Sequence, residues 1–315
     1  MAFIKYFPAQ PKIDFLSKRK LFLAFSAFLL IGSLVSLAVQ GLNFGVDFRG
    51  GILIEVRTNG PADLPDLRSR LNNLDIGGVT LQEFGAPTDV LINVQRQEGA
   101  EAEQLAVIEL VKAELGDVVA EYRRTEFVGP KVGDELRQAG ILATVLALTA
   151  IGLYIWFRFE WQFAVAALIA LVHDVVATIG FFSVLQIEFN LATLAAVLTI
   201  AGYSINDTVV VFDRVREMLR RFKKMAITDL LNLALNLTLS RTLLTSVTTL
   251  LALIALYVFG GEVIRGFTSG LIWGVLIGTY SSIALAVPLL YYTGVRRDNL
   301  AASDASEEEA VEDAS

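Results

Sequence analysis

Residues 202–217, GYSINDTVVVFDRVRE, carry the chain from an apolar segment into a charged one. Residues 191–202 before them are apolar or small apart from Thr193 and Thr199. The whole reads as a membrane helix whose cytoplasmic end is reached near Asp213 and Arg214. At 1.5 Å per residue, Asp207 lies about 9 Å inside that end, where a carboxylate costs roughly 2.5–3.5 kcal/mol on insertion scales. Two readings explain a chain that keeps such a cost. In one, Asp207 and its neighbour Asn206 are buried hydrogen-bonding groups that hold helices together. In the other, Asp207 is a proton or ion site, since a carboxyl that moves between dry and wet surroundings takes up and releases a proton.

Composition widens the first reading to the whole chain. Its 315 residues are 54% hydrophobic and only 19% charged, too apolar for an ordinary soluble domain of this length. The fold class expected is therefore a polytopic α-helical membrane protein. The net charge of −7 is local in origin: six of the 33 acids (Asp304, Glu307, Glu308, Glu309, Glu312, Asp313) lie in residues 301–315, and the rest is nearly neutral against 26 Lys and Arg. Residues 296–315 read as a disordered acidic cytoplasmic tail. With no cysteine and one histidine, His173, disulfides, thiolate metal sites and multi-histidine arrangements are excluded. No nucleophile elbow, phosphate loop or metal-ligand spacing occurs, so neither a catalytic residue nor a metal site is expected. The basic clusters flank apolar runs, which fits membrane topology and not nucleic acid.

Residues 1–20 hold Lys5, Lys12, Lys18, Arg19 and Lys20 against Asp14 and form a cytoplasmic N-terminal segment; the apolar run that follows makes residues 21–40 the first span. The run is too long for a signal peptide and lacks a small-residue cleavage site, so it reads as uncleaved, with the next segment outside. Residues 41–134 are soluble in composition. Alternation predicts strands at 52–57, 79–84, 90–94 and 118–128, and helical spacing predicts helices at 64–74, behind an Asp63 cap, and at 101–115, with Leu105, Ile108, Val111 and Leu115 on one face. The order β-α-β-β-α-β predicts a small α+β ferredoxin-like periplasmic domain between spans one and two, its two helices on one face of an antiparallel sheet.

Residues 135–295 hold spans two to six, with apolar runs at 139–157, 163–185, 191–212, 242–259 and 266–292. Arg158, the block 214–224 and Arg296 with Arg297 fall on the side of the amino terminus, while loop 186–190 has no base. Both termini are thus expected in the cytoplasm, with a basic cytoplasmic loop at 213–240. A helix over 228–259 would run about 48 Å, too long for a core of roughly 30 Å, so residues 227–239 are expected along the interface and the core of span five near Arg241.

Several polar residues fall inside these spans. Arg241 opens a face continued by Thr245, Thr248 and Ala252. It reads either as an arginine snorkelling to the interface or as the charge partner of Asp207. His173 and Asp174 lie mid-span among Ala166, Ala170, Ala177 and Gly180, a setting for close packing with interhelical hydrogen bonds or for a proton relay. Span six repeats Gly266, Gly270, Gly274, Gly278 and Ser282, the mark of a close helix contact.

Five motifs, NFGVDFRGG (43–51), VGPKVGDEL (128–136), HD (173–174), residues 202–217 and RTLLTS (241–246) followed by TTL, together closely resemble the SecF family. These are the smaller membrane subunits of the bacterial SecD–SecF protein-export accessory complex, in the resistance-nodulation-division (RND) superfamily. The similarity covers residues 13–292. It implies a multi-pass protein of the bacterial cytoplasmic (inner) membrane that uses the proton-motive force to help preproteins finish crossing it after an ATP-driven motor has pushed them in. The implied partners are SecD, which some relatives carry fused and which is expected here as a separate polypeptide, the SecYEG translocon with its accessory subunits, the translocating preprotein and membrane lipid. No cofactor is implied, with protons as the coupling ion. The family's membrane aspartate falls on Asp207 and the arginine of the next span on Arg241. His173, Asp174, Asn206, Thr245 and Ser246 stand beside them as relay or packing residues. Two rivals remain: half of a proton-coupled small-molecule exporter, whose outer portions are much larger, and a non-coupling scaffold subunit that would tolerate asparagine at 207.

Overall fold

The computed structural model describes residues 11–94 and 101–295; the N-terminal 1–10 and the acidic tail 296–315 lie outside the described residues. Among the described residues, six helices are long and apolar enough to cross a membrane: Leu16–Val39, Val132–Arg158, Trp161–Leu185, Leu191–Arg221, Ile227–Phe259 and Arg265–Tyr292. In elements, the chain runs α1 (Arg19–Val39), α2 (Val46–Arg49), β1 (Gly51–Thr58), α3 (Leu64–Asn72), β2 (Val79–Phe84), β3 (Ala86–Val94), α4 (Glu101–Leu115), β4 (Val119–Val128), α5 (Pro130–Arg158), α6 (Trp161–Leu185), α7 (Leu191–Arg221) and α8 (Ile227–Phe259). Span six is α9 (Arg265–Ser281), a π-helical turn (Ser282–Ala286) and α10 (Val287–Tyr292). Pro288 explains the wide turn, because it has no N–H to offer the carbonyl four residues back.

The sheet has strand order β2-β3-β1-β4 with every pairing antiparallel, which is the ferredoxin-like arrangement. Alternation puts Ile52, Ile54, Val56 and Ile92 on the face covered by Leu67 and Leu71 of α3 and Val107, Ile108, Val111 and Leu115 of α4. Asp63 caps α3 by accepting the Asp66 N–H at 3.1 Å. Leu105 departs from expectation: it is 51% exposed, and Val107 takes its place in the core.

Residues 41–50, expected within the soluble domain, instead stitch onto the bundle. Phe189 N–H donates to the Asn43 carbonyl at 2.7 Å and Gly45 N–H to the Phe189 carbonyl at 3.0 Å, while Phe48 packs with Leu171, Phe182, Phe189 and Val197. Asp47 accepts the Leu191 N–H at 2.9 Å, at the start of α7. Gly50 and Gly51 both take positive φ, 70° and 125°, a backbone that side chains disfavour. A Cβ at Gly133 would come within 3.0 Å of the Gly50 nitrogen. The glycine motif of 43–51 and the VGPKVGDEL motif therefore meet.

The connection 213–240 is helical except for residues 222–226. Val215, Met218 and Leu219 give the end of α7 an apolar face, and Leu230, Leu231, Ala234 and Leu235 of α8 pack in the same core. That packing fixes residues 227–239 against the end of α7, and α8 runs past Arg241 without a break. Asn232 and Asn236 also bind the chain ahead of α1: Asn236 accepts the Ile13 N–H at 2.9 Å and donates to its carbonyl at 2.8 Å.

The glycine ridge of α9 works as its spacing suggests. A Cβ at Gly270 would meet Phe182 of α6 at 2.5 Å, one at Gly274 would collide with Ile200 of α7, and one at Gly278 would reach Ser204 at 3.1 Å. Burial shows which helices are central: in the most apolar 18 residues of each span, 67% are buried in the sixth and 61% in the third, against 11% in the second and in the fifth.

Candidate functional site

Two buried carboxylates face different surroundings. On α6, Asp174 Oδ1 sits 2.9 Å from His173 Nδ1, and Oδ2 accepts hydroxyl hydrogen bonds from Ser281 of α9 at 2.6 Å and from Ser204 of α7. His173, Asp174 and Ser281 are fully buried and Ser204 is 1% exposed. The cluster thus joins three helices through one acid. His173 Nε2 has no hydrogen-bond partner, and the His173 ring lies 6.4 Å from that of Tyr280. The Tyr280 hydroxyl donates to the Phe22 carbonyl at 2.7 Å and meets Ser26 at 3.0 Å, which brings α1 into the same polar seam.

Asp207 follows Ser204 by three residues on α7, so the two lie about one turn apart on the same side of the helix. Asp207 is buried, yet its Oδ2 has no hydrogen-bond partner. Thr242 and Arg241 of α8 are the polar groups that face it, but the buried Thr242 hydroxyl closes no hydrogen bond. Arg241 is exposed and acts on Asp207 through its charge alone, so the expected partners share the site without a hydrogen bond between them. A carboxyl held dry with an open lone pair, within electrostatic reach of one guanidinium, can be discharged by a proton or by approach of that arginine.

The other expected residues divide. Asn206 is exposed, whereas Asp207 beside it is buried. Thr245 donates to the Arg241 carbonyl of its own helix at 3.0 Å. Ser246 is buried and meets Thr279 of α9 at 2.6 Å, pinning α8 to the bundle. Ser204, Ser281, Thr242 and Tyr280 escaped the sequence reading. Ser204 and Thr242 stand inside the quoted motifs, the one clue available without helix packing.

The face around Asp207 is open. Ala192, Ala195, Thr199, Gly202 and Asn206 form an exposed small-residue strip along α7, and a Cβ at Gly202 would meet nothing within 4 Å. Arg241, Thr248 and Ala252 continue the exposed surface on α8.

The profile of the family described as protein export membrane protein SecD/SecF, C-terminal, matches residues 108–296. The chain belongs to the SecD/SecF family. The SecD/SecF GG motif matches residues 35–62, around the glycine pair that meets Gly133. Among curated relatives, protein translocase subunit SecF of Rickettsia felis is 46% identical over 94% of this chain and 96% of its own length. That of Magnetococcus marinus is 50% identical over 88% of this chain and 90% of its own. The solved structure of SecDF, a translocon-associated membrane protein from Thermus, superposes with a TM-score of 0.83 at 33% identity over 91% of this chain. This SecD/SecF chain spans 39% of that SecDF chain. A second SecDF structure, in a super-membrane-facing form, gives a TM-score of 0.66 at the same identity over 94% of this chain.

Proposed function

We propose that this chain is an accessory subunit of the protein translocase, coupled to SecD, that uses the proton-motive force to promote late stages of preprotein translocation through SecYEG. The observation that carries the reading is Asp207: a buried carboxyl with an unsatisfied oxygen, at the edge of an uncovered strip of small residues. Such strips let helices approach closely, and SecD is the partner that would cover this one. In this reading Asp207 loads a proton and releases it to the other side, and Arg241 stabilises the ionised state. One charge crossing the full potential yields about 2.3 kcal/mol per 100 mV, comparable to the few kcal/mol that separate two conformations. The two SecDF forms match this chain at equal identity but with TM-scores of 0.83 and 0.66, which supports a family able to take more than one arrangement.

The orientation proposed has both termini in the cytoplasm and the sheet domain in the periplasm, since the basic residues gather at the bundle end opposite the sheet. The scaffold reading fits Asp174, whose oxygens are saturated, better than Asp207. The test is proton-driven release of a stalled preprotein from sealed vesicles. Release is expected with this subunit and SecD present and to be lost without it; equal release in its absence would leave only a scaffold. A cysteine at Asn73 should react with an impermeant reagent from outside and one at Lys223 should not, both positions being exposed.

A further inference from the structure

At the bundle end opposite the sheet, a groove of about 690 Å3 opens between the end of α5 and the extension of α7. It is lined by four arginines, Arg158, Arg216, Arg220 and Arg221, against two acids, Asp213 and Glu217. Both acids are already engaged: Asp213 with Arg158 at 2.9 Å, and Glu217 with Arg214, outside the groove, at 2.6 Å. The groove therefore keeps an excess of positive charge.

A basic cluster at this end serves membrane orientation in any polytopic chain, and for that purpose only the charge count matters. Here the guanidinium groups are also fixed in place. Arg158 and Arg216 both stack over the ring of Phe159, at 4.8 and 5.7 Å, and that ring is only 5% exposed. The Arg216 side chain is 16% exposed, lies 3.7 Å from Glu160, and has a buried Nε with no hydrogen-bond partner. Lys223 and Lys224, just past the end of α7, are simply exposed. Planar guanidinium forks held in place match phosphate oxygens two at a time. The level is that of a membrane interface, because Trp156, Phe157 and Trp161 at the α5–α6 turn are 59%, 85% and 54% exposed, and exposed tryptophans at a span's end mark the headgroup zone.

We propose that this groove binds the phosphate of an anionic phospholipid headgroup in the leaflet on that side, with Arg216 as the central ligand and Arg158 and Arg221 beside it. On the orientation above, that is the inner leaflet. The proposal does not depend on proton coupling, so either can fail alone.

The experiment uses the full chain in phosphatidylcholine vesicles that carry either brominated phosphatidylglycerol or brominated phosphatidylcholine at equal content, with tryptophan quenching as readout. Trp156 and Trp161 flank the groove, whereas Trp273 is stacked on Phe181 inside the bundle and gives the background. Quenching by the anionic lipid is expected to exceed that by the neutral lipid several-fold. Arg216→Gln should lower that preference roughly fivefold, on the basis of about 1 kcal/mol per arginine near a charged surface, and Arg216→Lys should keep part of it. Arg221→Gln, at an exposed position that cannot disturb the core, should lower it more modestly. Equal quenching by the two lipids in the unaltered chain overturns the proposal, as does an undiminished preference in both glutamine variants. Relief of quenching by soluble glycerol phosphate would assign the site to a free phosphate compound and overturn the lipid.

Discussion

Asp174 and Asp207 are both buried carboxylates in the middle helices, and they differ in what surrounds them. Asp174 has a histidine and two serines from three helices on its two oxygens. Asp207 has an open oxygen, an unpaired threonine and an arginine out of contact. A buried acid whose hydrogen bonds are complete is held in one state, because leaving it would strand several donors at once. An acid with bonds to spare costs free energy as it stands and gains by changing partner or protonation. The first arrangement suits packing and the second suits coupling.

The largest expected effect is at Asp207. Asp207→Asn, nearly isosteric with the protonated acid, should abolish proton-driven export while leaving abundance and the melting temperature unchanged. Arg241→Leu should do the same, and Arg241→Lys should retain part of the activity without the planar fork. Export in cells at normal protein level is the measurement, and full activity of Asp207→Asn would erase the contrast between the two acids.

Asp174 should respond in the opposite way. Asp174→Ala orphans His173, Ser204 and Ser281 together and is expected to cost about 3 kcal/mol of stability, seen as a lower melting temperature in detergent. Ser281→Ala should cost about 1 kcal/mol, with residual export scaling with the amount of folded protein. Loss of coupling at full stability would make Asp174 a second transducing group.

The sequence showed Asp207 because its cost is local: a charge inside an apolar run is visible without any fold. The six spans and the β-α-β-β-α-β order were legible for the same reason, being patterns of period 3.6 and 2 within single segments. The saturation of Asp174 was not legible, since Ser204 and Ser281 stand 30 and 107 residues away and meet only when the glycine ridge brings α9 against α7. Residues 41–50 were misplaced because a short, glycine-rich stretch of mixed composition has no periodicity to tell a loop of the domain from a lid on the bundle. The helix over 228–259 was legible, but the partner of its first turns was not, since Val215, Met218 and Leu219 of α7 meet them only in the fold.

A smaller test carries the comparison outside the membrane. Asp89 in the sheet is held below the usual carboxylate range, chiefly by the Arg57 hydrogen bonds, with Arg123 adding to it. Its stabilisation is present above the unfolded value of about 3.9 and is lost as pH falls through the lower folded value. Glu188, in the loop between α6 and α7, is pushed up by burial. Its contribution is present below about 4.3 and is lost as pH rises through the raised folded value. Melting followed against pH should therefore lose some of its fall toward acid in Asp89→Asn and gain slightly near neutrality in Glu188→Gln. Identical profiles in the two variants would contradict these signs.

The join between β4 and α5 has a mechanical side. Only Gly129 separates the last strand from a 29-residue helix, a rod of about 43 Å. At its far end Arg158 grips Asp213 of α7 at 2.9 Å, less than two turns from Asp207. A swing of the sheet that is not absorbed at Gly129, or at the Gly50–Gly51 join ahead of β1, travels down the rod and tugs on the helix that carries the open acid. The domain outside the bilayer and the carboxyl within it are ends of one lever.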